Sequence, residues 1–144
     1  MTLYKLPKLI DINAKSKVIR GSRRLLIVSR CLELEHPEVI ERFRGDYSIV
    51  TVCPEEEHIN HVGFKLAGMI ARSDFDEVSV LSVDGSLHCI QLHFMVEEIF
   101  KFMDLDSKVR RKHYVVEKGR VMEVDSKAVK TARYLSKVQK LLQG

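Results

Sequence analysis

The sequence predicts an α/β domain, a three-layer sandwich around a mainly parallel sheet of the flavodoxin-like or Rossmann-like kind. Three short apolar runs without alternation are each followed by a segment with helical spacing, as expected of strands covered by helices on both faces. The length of 144 residues fits a single domain. Apolar side chains make up 45% of the chain, and Gly and Pro are few, which excludes a disordered or fibrous protein.

The first strand is predicted over residues 24–30, because this apolar run shows no alternation and ends directly before Cys31. A short helix should follow, since Pro37 suits the first turn of a helix. The preceding residues 1–23 predict a basic N-terminal arm, in which residues 17–20 fit an edge strand.

The second strand is predicted over residues 47–53, and Pro54 then opens a longer helix that reaches about Arg72. The third strand covers residues 78–83, and a helix from about residue 88 to 103 follows it. Strand and helix thus alternate three times through residue 105. This order predicts right-handed βαβ units around a parallel sheet.

Residues 108–144 depart from that alternation. Two β-branched runs at 113–116 and 121–124 flank Gly119, which predicts a β-hairpin. Asp125 is a predicted N-cap for a final basic helix. The buried stripe of this helix is predicted to consist of Ala128, Ala132, Leu135, Val138 and Leu142.

Charge is distributed unevenly along the chain, although the net charge is only +4. Basic residues dominate the two ends, and acidic residues dominate the centre. The simpler interpretation is that the basic ends fold against the acidic centre. The alternative is a basic surface for a nucleic acid or an acidic protein, carried by Lys130, Arg133 and Lys137 of the final helix. No nucleic-acid-binding motif accompanies the charge, which favours the simpler interpretation.

The three cysteines carry the leading functional hypothesis. Cys31 and Cys53 directly follow the first two strands, and Cys89 lies just past the third. Because parallel strands end at one edge of a sheet, the thiols are predicted to converge where open α/β sheets bind ligands. Thiolates with an imidazole suit zinc, and thiolates also suit an iron–sulfur cluster. The candidate metal ligands are Cys31, Cys53, Cys89, His58, His88 and His93.

These residues predict a metal- or cysteine-dependent protein for redox or electron transfer, in an accessory role. Cys53 is the best candidate for a lowered thiol pKa, because Pro54 places it at the start of a helix. Catalysis by Cys53 or Cys89 with His88 as base is chemically compatible, so enzymatic activity is left open. The plainer interpretation is that the cysteines are small buried residues at strand ends. Cys-x-x-Cys and both glycine-rich nucleotide motifs are absent from the sequence.

A second hypothesis is a regulatory module that binds a small ligand without catalysis. Asp84, Gly85 and Ser86 form a flexible turn before a helix, and such a turn can offer backbone amides and a hydroxyl to a phosphate or carboxylate. A plain strand-to-helix connection has the same composition. In the helix that follows, Ile90 and Phe94 fall among polar residues. They predict contact with another element or with a second copy of the chain.

The cellular location is predicted from the absence of targeting segments. The sequence has neither an 18-residue apolar run nor a secretory signal, so the cytoplasm is expected and a membrane is not. The odd number of cysteines favours reduced or metal-bound thiols. Scarce Asn and Gln are typical of thermophilic proteins.

Overall fold

Five strands form one sheet in the computed structural model, which describes residues 3–144. Met1 and Thr2 of the predicted N-terminal arm lie outside the described residues. The strands are β1 (Arg24–Ser29), β2 (Ser48–Val52), β3 (Glu77–Val83), β4 (His113–Glu117) and β5 (Arg120–Val124). Their order is β2-β1-β3-β4-β5, with the first four parallel and β5 antiparallel to β4. The predicted α/β fold with a mainly parallel sheet is confirmed.

Helices cover both faces of this sheet. A 3₁₀ turn at Leu9–Asp11 precedes the first of them. The α-helices of the described chain are α1 (Lys17–Arg20), α2 (Leu32–Glu35), α3 (Pro37–Glu41), α4 (Ile59–Ala71), α5 (Ile90–Phe102), α6 (Ser126–Ala132) and α7 (Leu135–Leu142). None of the described helices is long and apolar enough to cross a membrane.

The burial of β1 on both faces explains why apolar and polar residues do not alternate in its sequence. Leu25 and Ile27 pack into the core beneath α4 and α5, whereas Leu26 and Val28 pack into the core beneath α2 and α3. All four side chains are fully buried. Because successive strand residues point to opposite faces, a strand covered on both sides must be apolar throughout. Each of these burials stabilises the fold by about 1.5–3 kcal/mol.

The strand order places a topological switch point between β1 and β3. The chain leaves β1 to form β2 on one side and then crosses back to form β3 on the other side. At such a point the loops after the two strands separate and leave a crevice, where ligands bind in open α/β sheets. Cys31 follows β1 and Asp84 follows β3. The switch point therefore lies between two of the predicted site segments.

The predicted hairpin is present at β4 and β5. Glu117 pairs with Arg120, so the loop contains two residues. Lys118 and Gly119 both have positive φ, 50° and 77° respectively. This is the conformation of a type I′ turn, whose twist matches that of the strands it joins.

Three predicted elements differ in the structure. Lys17–Arg20 is a single helical turn and not an edge strand, because the Ser16 hydroxyl accepts the Val18 amide and caps it. The helix after β2 begins at Ile59, not directly after Pro54. His58 is its N-cap, since its Nδ1 accepts the Asn60 amide at 3.1 Å. Similarly, α5 begins at Ile90, two residues later than predicted.

The final helix is divided, and its predicted buried stripe is wrong. Tyr134 has extended backbone angles and separates α6 from α7. Val129 packs inward, while Val138 is half-buried. A break in a helix resets the direction of the residues beyond it, so one stripe cannot continue across it. The predicted stripe residues that are exposed are Ala128, Ala132, Leu135 and Leu142.

Candidate functional site

A cavity of about 470 Å³ opens beside the carboxyl end of β3. Residues from the end of β3, the start of α5, the hairpin and α6 line it. Its walls are mainly apolar, with side chains such as Val83, Leu87, Ile90, Phe94, Val124 and Val129. The polar lining residues in the described chain are Ser82, Asp84, Ser86 and His93. Apolar walls with a few polar groups are typical of small-molecule sites.

The turn between β3 and α5 forms one side of this cavity, and Asp84, Gly85 and Ser86 all line it. The Asp84 amide donates to the Val116 carbonyl at 3.1 Å, which ties the turn to β4. Gly85 has a φ of 82°, a left-handed conformation that favours glycine. The Ser86 hydroxyl accepts the Cys89 amide at 3.1 Å, directly before α5 begins. The turn is therefore held in one conformation by its own hydrogen bonds.

Cys31 follows β1, Cys53 follows β2 and Cys89 lies between β3 and α5, so each comes after the carboxyl end of a parallel strand. All are free thiols: Cys31 is exposed, Cys53 is half-buried and Cys89 is buried. Partial desolvation of its thiol raises the pKa of Cys31, and negative charge on Cys89 and then Cys53 raises it further. The convergence of the three sulfur atoms stays a prediction. However, no group of three or more His, Cys, Asp or Glu side chains in residues 3–144 is arranged to hold a metal ion.

The three candidate histidine ligands have other partners. His58 caps α4, as described above. Nδ1 of His88 lies 3.0 Å from a carboxylate oxygen of Glu55. His93 is buried and hydrogen-bonded to Ser82 and His113. The structure thus distributes these imidazoles among separate contacts and does not gather them around the thiols.

The expected helix start at Cys53 is also wrong. Residues 54–57 form a turn, so no helix dipole acts on this thiol. The Cys53 amide instead donates to the Glu57 carboxylate at 3.1 Å. Glu57 in turn pairs with the guanidinium of Arg30, whose side chain is only 3% exposed. The turn that carries Cys53 is therefore fixed to the end of β1 by a buried ion pair.

A buried chain of polar side chains, here called the relay, runs from the cavity into the protein. The Ser82 hydroxyl lies 2.7 Å from His93 Nε2, and the Nδ1 atoms of His93 and His113 are 2.9 Å apart. His113 Nε2 is then 2.7 Å from the Glu97 carboxylate, to which Arg111 Nε donates at 2.6 Å. The relay consists of Ser82, His93, His113, Glu97 and Arg111. Its cavity end is Ser82 and His93.

Burial sets the ionisation of the relay. Desolvation, and secondly the electrostatic effect of the neighbouring His113 ring, lowers the pKa of His93 to about 3. Desolvation alone would raise the pKa of Glu97, but hydrogen bonds from His113 and Arg111 outweigh it and lower this pKa to about 2. Near neutral pH the relay therefore contains a neutral His93 and an ionised Glu97.

Of the relay residues, only His93 was predicted from the sequence to have a functional role, and that role was as a metal ligand. The one available signal was that Glu97 follows His93 by four residues, which places both on one face of a helix. His113 and Ser82 sit within apolar strand runs and meet α5 only through the tertiary fold. Nothing in their local sequence marks that contact.

The residues predicted to bind partners mostly have partners within the chain. Ile90, 41% exposed, and half-buried Phe94 line the cavity together with residues of α6, so they do meet another element. Lys130 Nζ is 3.9 Å from Glu97, and Arg133 is 3.2 Å from Glu98. Lys137 lies over the ring of Tyr134 at 4.5 Å. Basic C-terminal side chains therefore fold against acidic residues of α5; binding of an external partner stays a prediction.

Comparison with known proteins supports the architecture. A family model described as a Rossmann-like domain matches residues 18–143. Neither the curated proteins nor the solved structures contain a match. The matched region includes every strand of the sheet, the cavity and the relay. The chain belongs to the Rossmann-like domain family.

Proposed function

We propose that this protein is a small-ligand-binding module whose ligand occupies the cavity beside the turn formed by Asp84, Gly85 and Ser86. The observation that carries the proposal is the cavity of about 470 Å³ at the carboxyl edge of the sheet. Its volume lies within the range of roughly 300–1,000 Å³ that is usual for small-molecule sites. The cavity includes the carboxyl end of β3, the edge at which open α/β sheets bind ligands, although it lies on the side of β4 and not at the switch point between β1 and β3.

The polar side of the cavity supports the same proposal, because it is rigid before any ligand arrives. Asp84 is fixed through its amide to Val116, and Ser86 through its hydroxyl to Cys89. A preorganised site loses less conformational entropy when a ligand binds, which increases affinity. The opposite wall contains α6 residues Ala128 and Ala132, whose small side chains leave the space open.

The test is an NMR titration with indole, an uncharged apolar probe, on protein labelled with ¹⁵N. Shift changes are expected at residues 82–86 and at the facing residues of α6. Ala132→Phe should fill the cavity and abolish these changes. Ala71→Phe places the same side chain at an exposed position outside the cavity lining and should leave them intact. Changes that persist in Ala132→Phe would refute the proposed site.

A second candidate is thiol redox chemistry at the cysteine edge, favoured by the electrostatic effect of Cys89 and Cys53 on the thiol of Cys31. Two thiols would form one S–S bond and pass two electrons and two protons to a small disulfide such as oxidised glutathione. Mass spectrometry after this treatment would detect an internal disulfide as a loss of two hydrogens. Exclusive formation of glutathione adducts would contradict the proposal.

The metal-dependent form of this candidate, with zinc or an iron–sulfur cluster at Cys31, Cys53 and Cys89, stays a prediction. Its test is anaerobic purification followed by metal analysis and a visible absorption spectrum. A colourless, metal-free protein with unreactive thiols would contradict both forms. We also infer a reducing compartment, with the cytoplasm as the expected location, because all three cysteines are free.

The two candidate functions are separable by one set of variants. Replacing the three cysteines with serine should remove thiol chemistry while leaving the indole titration unchanged, because the cavity lining contains no cysteine among the described residues. Ala132→Phe should have the reverse effect. A loss of both properties in either variant would show that the two sites depend on each other.

A further inference from the structure

We propose that the ligand of this cavity carries a hydrogen-bond donor at its polar end, a protonated amine in preference to a carboxylate or phosphate, which donates to Ser82. The inference rests on the proposed function, since it assigns the ligand chemistry of the same cavity. It follows from the direction in which each relay hydrogen bond must point.

The donor and acceptor in each relay hydrogen bond are determined from Glu97, at the end of the relay that is remote from the cavity. The Glu97 carboxylate accepts two hydrogen bonds from Arg111, at 2.6 Å and 3.2 Å. An ionised carboxylate has no proton to donate. His113 Nε2, which lies 2.7 Å from the same carboxylate, must therefore carry a hydrogen and donate it.

Charge balance then makes His113 a neutral imidazole with a bare Nδ1. The side chain is fully buried. Among the buried groups around it, the carboxylate of Glu97 is already paired with the guanidinium of Arg111, whereas Lys130 and Asp106 are mostly exposed to solvent. A positive charge on His113 would therefore leave an excess charge among buried side chains, which is unfavourable. With its one hydrogen on Nε2, His113 can only accept at Nδ1.

The direction of the hydrogen bonds at His113 also determines their direction at His93 and Ser82. The two Nδ1 atoms are 2.9 Å apart, so His93 must supply the hydrogen between them. Burial keeps the pKa of His93 near 3, so this ring is neutral and its Nε2 is bare. The Ser82 hydroxyl, 2.7 Å away, therefore donates its only hydrogen to His93. Towards the cavity Ser82 can only accept a hydrogen bond.

The charge of the cavity lining favours the same kind of ligand. Asp84 is the one charged side chain among the described lining residues, and no Lys or Arg is among them. An anionic group would meet this carboxylate and the lone pairs of Ser82, both repulsive. The Asp84 amide, which could have held an anion, already donates to Val116. A protonated amine can donate to both Asp84 and Ser82, which reverses the preference for phosphate or carboxylate expected from the sequence.

Three probes with one phenylpropyl body and different polar ends test the ligand class: 3-phenylpropylamine, 3-phenylpropan-1-ol and 3-phenylpropionate. NMR titration should show the amine binding about tenfold or more tightly than the carboxylate, the ratio expected for one hydrogen bond to a charged group. Asp84→Asn should reduce the preference for the amine over the alcohol. Ser82→Ala should weaken both of these ligands.

The outcomes separate this inference from the proposed function. Any order of affinities in which the carboxylate is not the weakest ligand overturns the inference and leaves the proposed function standing. If neither these probes nor indole shifts the signals of the cavity residues, both fail.

A second measurement requires no substitution and no ligand. Long-range ¹H–¹⁵N spectra of the histidine side chains distinguish the two neutral tautomers. At neutral pH we expect the hydrogen of His93 on Nδ1 and that of His113 on Nε2. A His93 ring with its hydrogen on Nε2 would donate to Ser82, free the serine hydrogen for the cavity and overturn the inference.

Discussion

The Nδ1 atoms of His93 and His113 face each other at 2.9 Å, so these two buried imidazoles share a single hydrogen. An additional proton on His93 would place its charge beside His113 in a site from which solvent is excluded. The folded protein therefore resists protonation of His93, which lowers its pKa from the ordinary 6.5 to about 3. In the unfolded chain His93 is solvated, so its protonation carries no such free-energy cost.

The stability of the protein is accordingly expected to fall as the pH decreases from 6.5 towards 3. Between these two values the unfolded state binds a proton at His93 that the folded state does not, so acid favours unfolding. The full effect is on the order of 5 kcal/mol, at about 1.4 kcal/mol for each unit of pKa shift. Glu97 adds its own loss only below pH 4.5, because its pKa falls from 4.5 to about 2 on folding. Urea unfolding at several pH values between 4.5 and 6.5 therefore avoids the contribution of Glu97.

His93→Gln provides the matching variant, and His61→Gln provides the control at an exposed position. The first substitution should flatten the pH dependence of the unfolding free energy in this window, whatever its effect on overall stability. The second should leave the dependence unchanged. An unaltered slope in His93→Gln would show that another group takes up the proton.

Arg30→Met should destabilise the fold by about 3 kcal/mol, because it leaves the Glu57 carboxylate buried without its counter-ion. The side chains of Arg30 and Glu57 are 3% and 9% exposed. Arg44→Met removes a guanidinium from an exposed pair with Glu41 and should cost less than about 1 kcal/mol. Urea unfolding measures both.

The double variant Arg30→Met with Glu57→Gln checks the cause. Since it removes both charges, it should recover part of the stability lost in Arg30→Met. A double variant no more stable than the single one would mean that lost packing, and not the stranded charge, causes the destabilisation.

The strands were predictable from the sequence because their signal is local. The run at β1 is apolar on both faces, and Gly119 marks a turn that needs positive φ. The parallel order of the strands that precede the three cysteines was likewise predictable, from the alternation of strands and helices. These features depend on neighbours within a few residues or on a general rule of topology.

The relay and the ends of the helices were not predictable because they depend on distant contacts. Glu57 appeared to belong to a helix after Pro54, but its carboxylate is held by Arg30, 27 residues earlier in the chain. The bond between His93 and His113 joins α5 to β4 across 20 residues. Such pairings appear only once the sheet has brought the elements together.

Two glycines should respond in opposite ways to alanine. Gly68 lies within α4, where an added Cβ would come no closer than 3.4 Å to the mobile end of Arg72. Gly68→Ala should stabilise the protein by about 0.5–1 kcal/mol, because alanine loses less backbone entropy in a helix. Gly85 has space for a Cβ but a φ of 82°, so Gly85→Ala should cost about 1 kcal/mol or more. Thermal unfolding measures both changes in stability. If both variants were stabilised, or both destabilised, this assignment of backbone strain would be contradicted.

Cys31 should react slowly with iodoacetamide despite its exposure. Desolvation, together with charge on Cys89 and Cys53, raises the pKa of its thiol above the ordinary value of 9.0, and only the thiolate is nucleophilic. The midpoint of its pH–rate profile, followed by peptide mass spectrometry, is therefore expected above 9.0. In the variant with both Cys53→Ser and Cys89→Ser the midpoint should move down but stay above that value, because desolvation is the larger cause. A midpoint that does not move would show that the three thiols are too far apart to act on one another, and thiol redox chemistry at this edge would lose its support.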